Sequence, residues 1–336
     1  MATLWTTAVD DPIEGALASD DKHVFVATRD GAIRALDRDT GAAAWKAEGA
    51  ARRVVSARNG SLLARDLDGS VASLAPGDGA IRWTAATGVK GDLPALVTEE
   101  MVIVAGEGLA ALDLATGHAL WSAPQASVIT APPVLLGSCL AIGTADGSLR
   151  CLDPKTGVSR WAFRTRSALQ APPVADESGR LYLGTTDRRL LTLDAAKGNR
   201  HWRWKVGADV QFPPALAGDK VLVASFDAVL YALHTGNGNL AWRGVLPSRP
   251  LSAPLVTRGA AIVACQENEI LGFDLKTGQR LGSLKTAEAM RTPPLLLGGR
   301  LVVGLRNRSV VALELPVGPA VPDDEGAAKD LTSEKH

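Results

Sequence analysis

The stretch Asp153-Pro-Lys-Thr-Gly-Val-Ser-Arg-Trp161 decides the fold, because the same pattern returns along the chain. It is repeated closely as Asp37-Arg-Asp-Thr-Gly-Ala-Ala-Ala-Trp45 and as Asp113-Leu-Ala-Thr-Gly-His-Ala-Leu-Trp121. Looser copies end at Trp83, Trp202 and Trp242. Self-similarity at a fixed spacing is typical of repeat architectures, so each copy marks one structural unit.

The repeated pattern is typical of a hairpin turn. The aspartate can accept hydrogen bonds from backbone N–H groups two or three residues on, and the glycine can take the left-handed conformation. The tryptophan then begins the next strand, where we expect it to act as a packing anchor between units. This role is expected of Trp5, Trp45, Trp83, Trp121, Trp161, Trp202 and Trp242. The copy that begins at Asp274 has Gly282 in the tryptophan position, which predicts the weakest boundary between units.

Each unit places three short strands before this turn. In one unit, Ala131-Pro-Pro-Val134 precedes a strand at Leu140 to Thr144, and Asp146-Gly147 is a strong hairpin turn pattern. Proline is tolerated at the first residues of a strand, where its missing N–H is not needed. No helical period of useful length is present, so the chain is predicted to be all-β.

Eight such three-strand sets can be counted, with 38 to 41 residues between successive tryptophan positions. The eighth set stops at Pro316 without a turn, and its fourth strand is found at Leu4 to Thr7, at the other end of the chain. A closed ring removes the exposed edges of an open array. The sequence therefore predicts an eight-bladed β-propeller of four-stranded antiparallel blades over residues 1–315, closed by the N-terminal strand. Residues 316–336 predict a disordered tail.

The composition argues against several classes of protein. The chain has 36 Lys and Arg and 36 Asp and Glu, and this balance argues against an electrostatic footprint for nucleic acid. No run of 18 apolar residues is present, so no membrane span is predicted. Cys139, Cys151 and Cys265 are expected to be small buried hydrophobic residues rather than a disulfide framework or a metal site.

The first residues carry no targeting pattern. Met1 to Thr7 contain no basic segment, apolar core, cleavage site or cysteine for a lipid. We therefore expect the sequence as written to be cytoplasmic. If a leader has been removed, a periplasmic, outer-membrane-associated location is expected instead.

The pattern Leu-Asp-x-x-Thr-Gly-x-x-x-Trp resembles the repeat of the PQQ-like, or quinoprotein-type, β-propellers. It stands at Leu36 to Trp45, Leu112 to Trp121 and Leu152 to Trp161, and the repeat covers roughly residues 3 to 315. Within this superfamily, the compact single propeller is similar to the BamB family, which belongs to the outer-membrane β-barrel assembly complex. The resemblance implies a monomeric, non-catalytic scaffold that binds protein partners, such as members of that complex.

Two other functions share this fold, and the fold alone does not choose among them. The first alternative is a ligand-binding sensor that uses the channel mouth, and the less favoured one is a PQQ-dependent dehydrogenase. Quinoprotein dehydrogenases carry large insertions, adjacent cysteines over the quinone and ligands for calcium. Here no two cysteines adjoin and the blades have no insertions, so we expect no enzymatic activity and no cofactor.

No motif for catalysis or metal binding stands out. The chain has no Gly-x-Ser-x-Gly, Walker or His-Glu-x-x-His pattern. His23, His118, His201 and His234 lie in different units. The Asp-Gly pairs at Asp30, Asp68 and Asp146 lack the oxygen pattern of a calcium loop. We therefore expect no catalytic and no metal-binding residues.

One end of a propeller carries the loop before the first strand of each blade and the turn between the second and third strands. We call this end the top face, and the end with the Thr-Gly turns the bottom face. Aligning the units places a polar residue just before each first strand: Glu14, Arg52, Asp92, Thr130, Gln170, Gln211, Ser252 and Arg291. Loop tips are often simply polar. The sharper hypothesis is a ring at the channel mouth that binds a peptide, a strand edge or ordered water.

The middle units have the most distinctive top-face loops. Phe212 replaces the small residue of most units, and an aromatic ring near arginines is typical of interface centres. Asp209 to Pro214 also resembles the stretch that helps dock the assembly partner in the BamB family. The predicted partner site is Arg166, Leu169, Gln170, Asp209, Gln211, Phe212, Arg249 and Arg291. The competing interpretation is that Phe212 packs inward and the arginines only keep the protein soluble.

Overall fold

The computed structural model describes residues 3–48, 54–58 and 60–315. In these ranges it contains 32 strands and no helix. The strands form eight four-stranded antiparallel sheets, which are the blades of a propeller, so the predicted fold is confirmed. Arg52 of the predicted ring and the predicted tail at residues 316–336 lie outside the described residues.

The strands of the first four blades follow one another along the chain. Blade 1 contains β2 (Ile13–Ser19), β3 (His23–Thr28), β4 (Ile33–Asp37) and β5 (Ala43–Ala47). Blade 2 contains β6 (Val54–Arg58), β7 (Ser61–Arg65), β8 (Ser70–Leu74) and β9 (Ile81–Ala86). Blade 3 contains β10 (Leu96–Val97), β11 (Met101–Ala105), β12 (Gly108–Asp113) and β13 (Ala119–Pro124). Blade 4 contains β14 (Val134–Leu136), β15 (Cys139–Gly143), β16 (Ser148–Leu152) and β17 (Ser159–Arg164).

The last four blades repeat this order, except that blade 8 takes its outer strand from the start of the chain. Blade 5 contains β18 (Val174–Ala175), β19 (Arg180–Thr185), β20 (Arg189–Asp194) and β21 (Arg200–Lys205). Blade 6 contains β22 (Ala215–Ala217), β23 (Lys220–Ser225), β24 (Val229–His234) and β25 (Leu240–Val245). Blade 7 contains β26 (Leu255–Val256), β27 (Ala260–Ala264), β28 (Glu269–Asp274) and β29 (Arg280–Lys285). Blade 8 contains β30 (Leu295–Leu297), β31 (Arg300–Gly304), β32 (Ser309–Glu314) and β1 (Thr3–Ala8).

Burial follows the position of a strand in its blade. The second and third strands are almost continuously buried, as in β23 and β24, because neighbouring blades cover both faces of each sheet. The outer strands alternate between half-buried and exposed residues, as in β17 and β21. The hydrophobic core is therefore a series of layers between blades rather than one central cluster.

The repeated turn has the geometry that its sequence predicts. The Asp37 carboxylate accepts hydrogen bonds from the Thr40 amide at 2.8 Å and the Thr40 hydroxyl at 2.7 Å, and Gly41 has φ of 73°. Asp113 and Asp274 repeat this arrangement. The threonine hydroxyl is the main cause that lowers the pKa of all three aspartates. The turn is therefore held by an ionised carboxylate that caps its backbone.

Each blade tryptophan docks on the turn of the following blade. The Trp161 ring lies against Gly198, where an added Cβ would be 2.6 Å from ring atom Cε3, and Nε1 of Trp161 donates to the Ala195 carbonyl at 3.0 Å. The other six tryptophans repeat the ring contact, with Trp5 on Gly41, Trp45 on Gly79, Trp83 on Gly117, Trp121 on Gly157, Trp202 on Gly238 and Trp242 on Gly278. Each also donates Nε1 to a carbonyl of that turn. Glycine is required at this position for two reasons: the backbone is left-handed, and the tryptophan ring leaves no space for a Cβ.

The glycine at the seventh outer strand now has a structural reason. Gly282 lies in β29 and faces blade 8, which has no turn between its third and fourth strands. In blade 8 the outer strand is β1, from the opposite end of the sequence. A tryptophan at Gly282 would have no turn on which to dock.

The ring is closed as predicted. β1 pairs with β32 in antiparallel register, with Trp5 opposite Ala312 and Ala8 opposite Ser309. The Thr7 hydroxyl donates to the Gly41 carbonyl of blade 1. The first strand therefore completes blade 8 and joins it to blade 1.

The cysteines differ from expectation. Cys265 is buried and free, but Cys139 and Cys151 are joined as a disulfide with Cα atoms 5.3 Å apart. They lie on the adjacent strands β15 and β16, so antiparallel pairing brings together residues 12 apart in sequence. The prediction of buried cysteines without a disulfide is wrong for this pair, since spacing along the chain does not report strand pairing.

A buried arginine, not predicted from the sequence, lies between blades 2 and 3. Arg65 ends β7 at the position where the other blades have Ala27, Ala105, Gly143, Gly184, Ala224, Ala264 and Gly304. It is 1% exposed, and its guanidinium donates to the carbonyls of Val89, Leu93 and Ala105 at 2.7 to 2.8 Å. Burial lowers the pKa of Arg65. This side chain holds the loop before blade 3 against blade 2.

Removing the closing strand tests the ring. Deletion of residues 1–8 exposes the edge of β32 and removes the Trp5 contact, so we expect a lower melting temperature and aggregation. Deletion of residues 316–336 is the control, and it should change neither the melting temperature nor the tendency to aggregate. A truncated protein that stays monomeric and melts at the original temperature would show that β1 does not close the ring.

A pair of glycines in blade 5 isolates the contact of the tryptophan with the turn. Gly198→Ala should cost about 1–2 kcal/mol for the left-handed backbone and about 1–3 kcal/mol more for the clash with Trp161. Gly179 has φ of 79° but no atom within 4 Å of an added Cβ, so Gly179→Ala carries only the backbone cost.

Urea unfolding of both variants in the native and Trp161→Ala backgrounds measures the difference. Trp161→Ala alone should cost about 3–5 kcal/mol. In that background the two glycine variants should become equal. A difference that persists would mean that Trp161 is not the group that Gly198 accommodates.

Candidate protein-interaction face

The top face is organised by one repeated backbone hydrogen bond. The turn between the second and third strands donates an amide to the loop before the first strand, as in Ala145 to Val128 at 2.9 Å and Phe226 to Asp209 at 3.1 Å. The same bond joins Arg29 to Pro12, Gln266 to Arg249 and Arg306 to Ala289. In these five blades the bond places the loop and the turn side by side.

Two members of the predicted ring connect neighbouring blades. The Thr130 hydroxyl donates to the Leu169 carbonyl of the next blade, and Nε of Arg291 donates to the Ile13 carbonyl at 3.3 Å. Leu169 and Ile13 occupy equivalent positions in their blades. These two side chains therefore stabilise blade contacts at the channel mouth.

The other described members of the ring have unequal surroundings. Ser252 is buried and donates to the Ala253 carbonyl, and half-buried Glu14 pairs with Arg29 at 3.1 Å. Gln211 is half-buried, whereas Asp92 and Gln170 are exposed. These seven positions are therefore not one uniform polar surface.

The channel contains a cavity of about 620 Å³, but none of the described ring residues lines it. Apolar residues of the inner strands, such as Leu17, Leu96 and Leu297, line it together with polar residues toward the bottom face: Asp20, Arg38 and Arg58. The cavity and the predicted ring therefore belong to different ends of the channel.

An aromatic pair lies on the top face of blade 6. Phe212, in the loop before β22, contacts Phe226, in the turn after β23, with ring centroids 5.8 Å apart. The Arg249 guanidinium lies over the Phe226 ring at 5.7 Å. Both rings are half-buried and Arg249 is exposed. The structure thus brings Phe212 and Arg249 together through Phe226, which the sequence analysis did not identify.

The remaining predicted partner residues fall into two groups. Arg166 and Gln170 are exposed in the loop before blade 5, and Asp209 is half-buried beside the aromatic pair. Leu169 is different because it is 1% exposed, and an added Cβ on Gly143 would be 2.9 Å from its own Cβ. The hypothesis is wrong for Leu169, since this side chain packs into the core between blades 4 and 5.

Four top-face turns hold a residue other than glycine in the left-handed conformation. Blades 1, 2 and 4 have Gly31, Gly69 and Gly147 at the third turn position. Blades 5 to 8 have Arg188, Ala228, Asn268 and Arg308 there, with φ between 59° and 65°. Such residues are uncommon, and strained backbone is found at functional sites more often than elsewhere. The strained turns are confined to the half of the top face that carries Phe226 and Arg249.

The described residues offer little for metal chemistry. In residues 3–48, 54–58 and 60–315, no group of three or more His, Cys, Asp or Glu side chains could hold a metal ion. The same ranges contain no helix long and apolar enough to cross a membrane. What the top face can do chemically is to bind another surface through stacked aromatic and guanidinium groups.

Solved structures of low identity share the fold. BamB from Moraxella catarrhalis has a TM-score of 0.80 at 20% identity and covers 94% of this chain and 97% of that one. A europium-containing methanol dehydrogenase has a TM-score of 0.74 at 14% identity and covers 90% of this chain and 84% of that one. At these identities the similarity shows the fold alone.

Sequence comparison is more specific. The β-alanine-activating enzyme of Danio rerio is 31% identical over 102 residues, which is 28% of this chain. The matched part spans 9% of the length of that relative. The model of a family described as outer membrane protein assembly factor BamB matches residues 2–67 and 145–314, more than half of the chain. By this match, the chain belongs to the family of the outer membrane protein assembly factor BamB.

Proposed function

We propose that this chain is a non-catalytic scaffold that binds a protein partner in outer membrane protein assembly. The family match supports the assembly role. The observation that carries the proposal for this chain is the contact of Phe212, Phe226 and Arg249 on the top face.

The aromatic pair has the properties of an interface anchor. Its rings are half-buried in the free protein, so a partner could complete their burial while few additional side chains become ordered. Aromatic and arginine residues dominate the energetic centres of interfaces. Arg249 stacks on Phe226 and leaves its guanidinium donors for carboxylates or carbonyls of the partner. Arg166, Gln170 and Asp209 supply the polar rim.

The strained turns support the same surface. A left-handed residue with a Cβ costs about 1–2 kcal/mol relative to glycine at the same place. Blades 5 to 8 each retain such a residue. In blades 5 and 8 the left-handed backbone sets the position of an exposed arginine, Arg188 or Arg308. Retention of that cost is expected where the side chain contributes to binding.

The location that accompanies this proposal is the periplasmic side of the outer membrane. It is one of the two locations that the sequence leaves open. A dehydrogenase or sensor role would place the active surface in the channel rather than on the aromatic pair.

Charge reversal on opposite faces tests the partner site. Arg166→Glu combined with Arg249→Glu should abolish capture of outer membrane assembly proteins from a membrane extract of the native host. Lys155→Glu with Lys197→Glu reverses two exposed charges of the bottom face and is the matched control.

Capture is measured by affinity purification and mass spectrometry, and thermal melting confirms that both variants fold. Phe212→Ala should weaken capture by about 2 kcal/mol, the scale of an interface hot spot. Loss of capture in the bottom-face variant alone would place the interface elsewhere. Equal capture by all variants would remove the proposed site.

Reconstitution with PQQ and calcium tests the dehydrogenase alternative. Adjacent cysteines are absent from the sequence, so we expect no stoichiometric quinone absorbance after desalting. A bound quinone at one per chain, retained through gel filtration, would favour the enzyme and contradict the proposed scaffold.

A further inference from the structure

The balanced net charge conceals a division between two parts of the ring. Residues 131–315 contain 23 Lys and Arg against 14 Asp and Glu, whereas residues 1–130 contain 11 against 17. Blades 4 to 8 are therefore cationic as a group, and blades 1 to 3 are anionic.

The cationic excess is concentrated on four consecutive outer strands. β17, β21, β25 and β29 contain eight basic residues and no acidic one: Arg160, Arg164, Arg200, Arg203, Lys205, Arg243, Arg280 and Lys285. The other four outer strands together contain two basic residues, Lys46 and Arg82. We call the surface formed by the eight residues the basic rim.

Most of the basic rim is not neutralised by the protein. Three members make ion pairs: Arg160 with Asp153, Arg164 with Asp146, and Arg280 with Glu269. No ion pair joins the other five, Arg200, Arg203, Lys205, Arg243 and Lys285, to any residue that the structure describes. All eight are exposed, so their charges act on solvent and on whatever approaches the side of the propeller.

The rim is outward-facing because of the strand alternation. On β21, Trp202 and Trp204 face blade 6, where Trp202 bonds to Thr235 and Trp204 meets Tyr231 edge-on. Arg203 and Lys205 occupy the intervening positions and are exposed. The same alternation exposes Arg243 beside the buried Trp242.

Protection of open strand edges is the simplest other explanation for charged outer strands. It would apply to every blade, since each outer strand has an open edge. Yet β1 and β13 carry no charged residue, and Lys46 is neutralised by Glu48 at 2.6 Å. Edge protection therefore does not account for the concentration of free charge on blades 4 to 7.

We propose that the basic rim docks this protein on an anionic lipid surface. Exposed aliphatic side chains lie among the charges: Val245 is 74% exposed, Leu281 45% and Leu240 44%. Basic residues together with aliphatic ones are the composition of surfaces that adsorb to anionic bilayers. A plane of headgroups at the side of the disc meets neighbouring outer strands, such as β21 and β25, and the rim offers such a pair from blade 4 to blade 7.

Nucleic acid fits the rim less well than lipid. Duplex DNA is read by a helix or a two-stranded ribbon that enters its groove, whereas the rim residues lie on the outer strands of four-stranded sheets. Single strands are held by exposed aromatic rings. The Trp and Phe side chains of these four strands face the next blade and are half-buried or buried.

This inference is independent of the partner site. The rim lies on the side of the propeller and the aromatic pair on the top face, so a bilayer at the rim leaves Phe212 and Arg249 accessible. Each surface can therefore be removed without the other.

Cosedimentation of the purified chain with lipid vesicles tests the rim. We expect binding to vesicles of one-third phosphatidylglycerol in phosphatidylcholine, no binding to pure phosphatidylcholine, and release at high salt. Arg203→Gln with Arg243→Gln should weaken binding roughly tenfold or more. Lys46→Gln with Arg82→Gln removes two charges next to the tryptophans of blades 1 and 2, and should change binding less than twofold.

Each other outcome overturns the proposal. These are no binding to the anionic vesicles, an equal loss in both double variants, or tighter binding to a duplex DNA or to polyglutamate than to the vesicles. Thermal melting of each variant shows that lost binding is not lost folding. Arg166→Glu with Arg249→Glu should retain vesicle binding, which separates failure of the rim from failure of the partner site.

Discussion

The ring depends on the docking of each blade tryptophan on the turn of the following blade. An aspartate caps the turn, and its glycine turns left-handed and presents a surface without a side chain. The tryptophan of the preceding blade covers that surface and donates its indole N–H to a turn carbonyl. Turn and tryptophan are therefore two halves of one contact, although they belong to different blades. This explains why both belong to the same repeat, and why the blade without such a turn faces Gly282 rather than tryptophan.

The contact also explains how much of the fold the sequence predicted. A nine-residue pattern that recurs at a nearly constant spacing specifies a turn, the outer strand that follows it and the contact with the adjacent blade. The number of blades and the closing strand therefore follow from counting the copies. Features outside the repeat did not follow. The Cys139–Cys151 bond needs the register of two strands, and the burial of Leu169 needs the close packing over Gly143. Arg65 replaces a small residue in one blade, but its three carbonyl partners lie in the next loop and the next blade, and only the fold brings them to it.

The candidate site was only partly predictable for a related reason. Phe212 stands out in sequence because it replaces the small residue of most units, and Arg249 lies in one of the distinctive top-face loops. Phe226 completes their contact, but its partner is set by the hydrogen bond from its amide to Asp209 in a different loop. Similarly, the left-handed backbone of Arg188 and Arg308 is invisible in residue types, since arginine is compatible with most loops. Sequence reasoning found the residues that break the pattern, and the structure supplied the pairs they form.

The top and bottom faces are separate, so the top-face loops can vary in sequence without changing how the blades pack. The bottom-face turns are constrained by the tryptophans that dock on them, so the glycine under each ring and the aspartate that caps the turn cannot vary without loosening the ring. The top-face loops carry no such contact and can hold aromatic, cationic or strained residues at little cost to blade packing. The outward positions of the outer strands are similarly free, because the inward positions alone hold the tryptophans. Balanced total charge is thus compatible with a strongly divided surface, and the division follows the blades rather than the faces. A propeller of this kind can carry one recognition surface on its top and a second on its side, with the repeat fixing the angle between them.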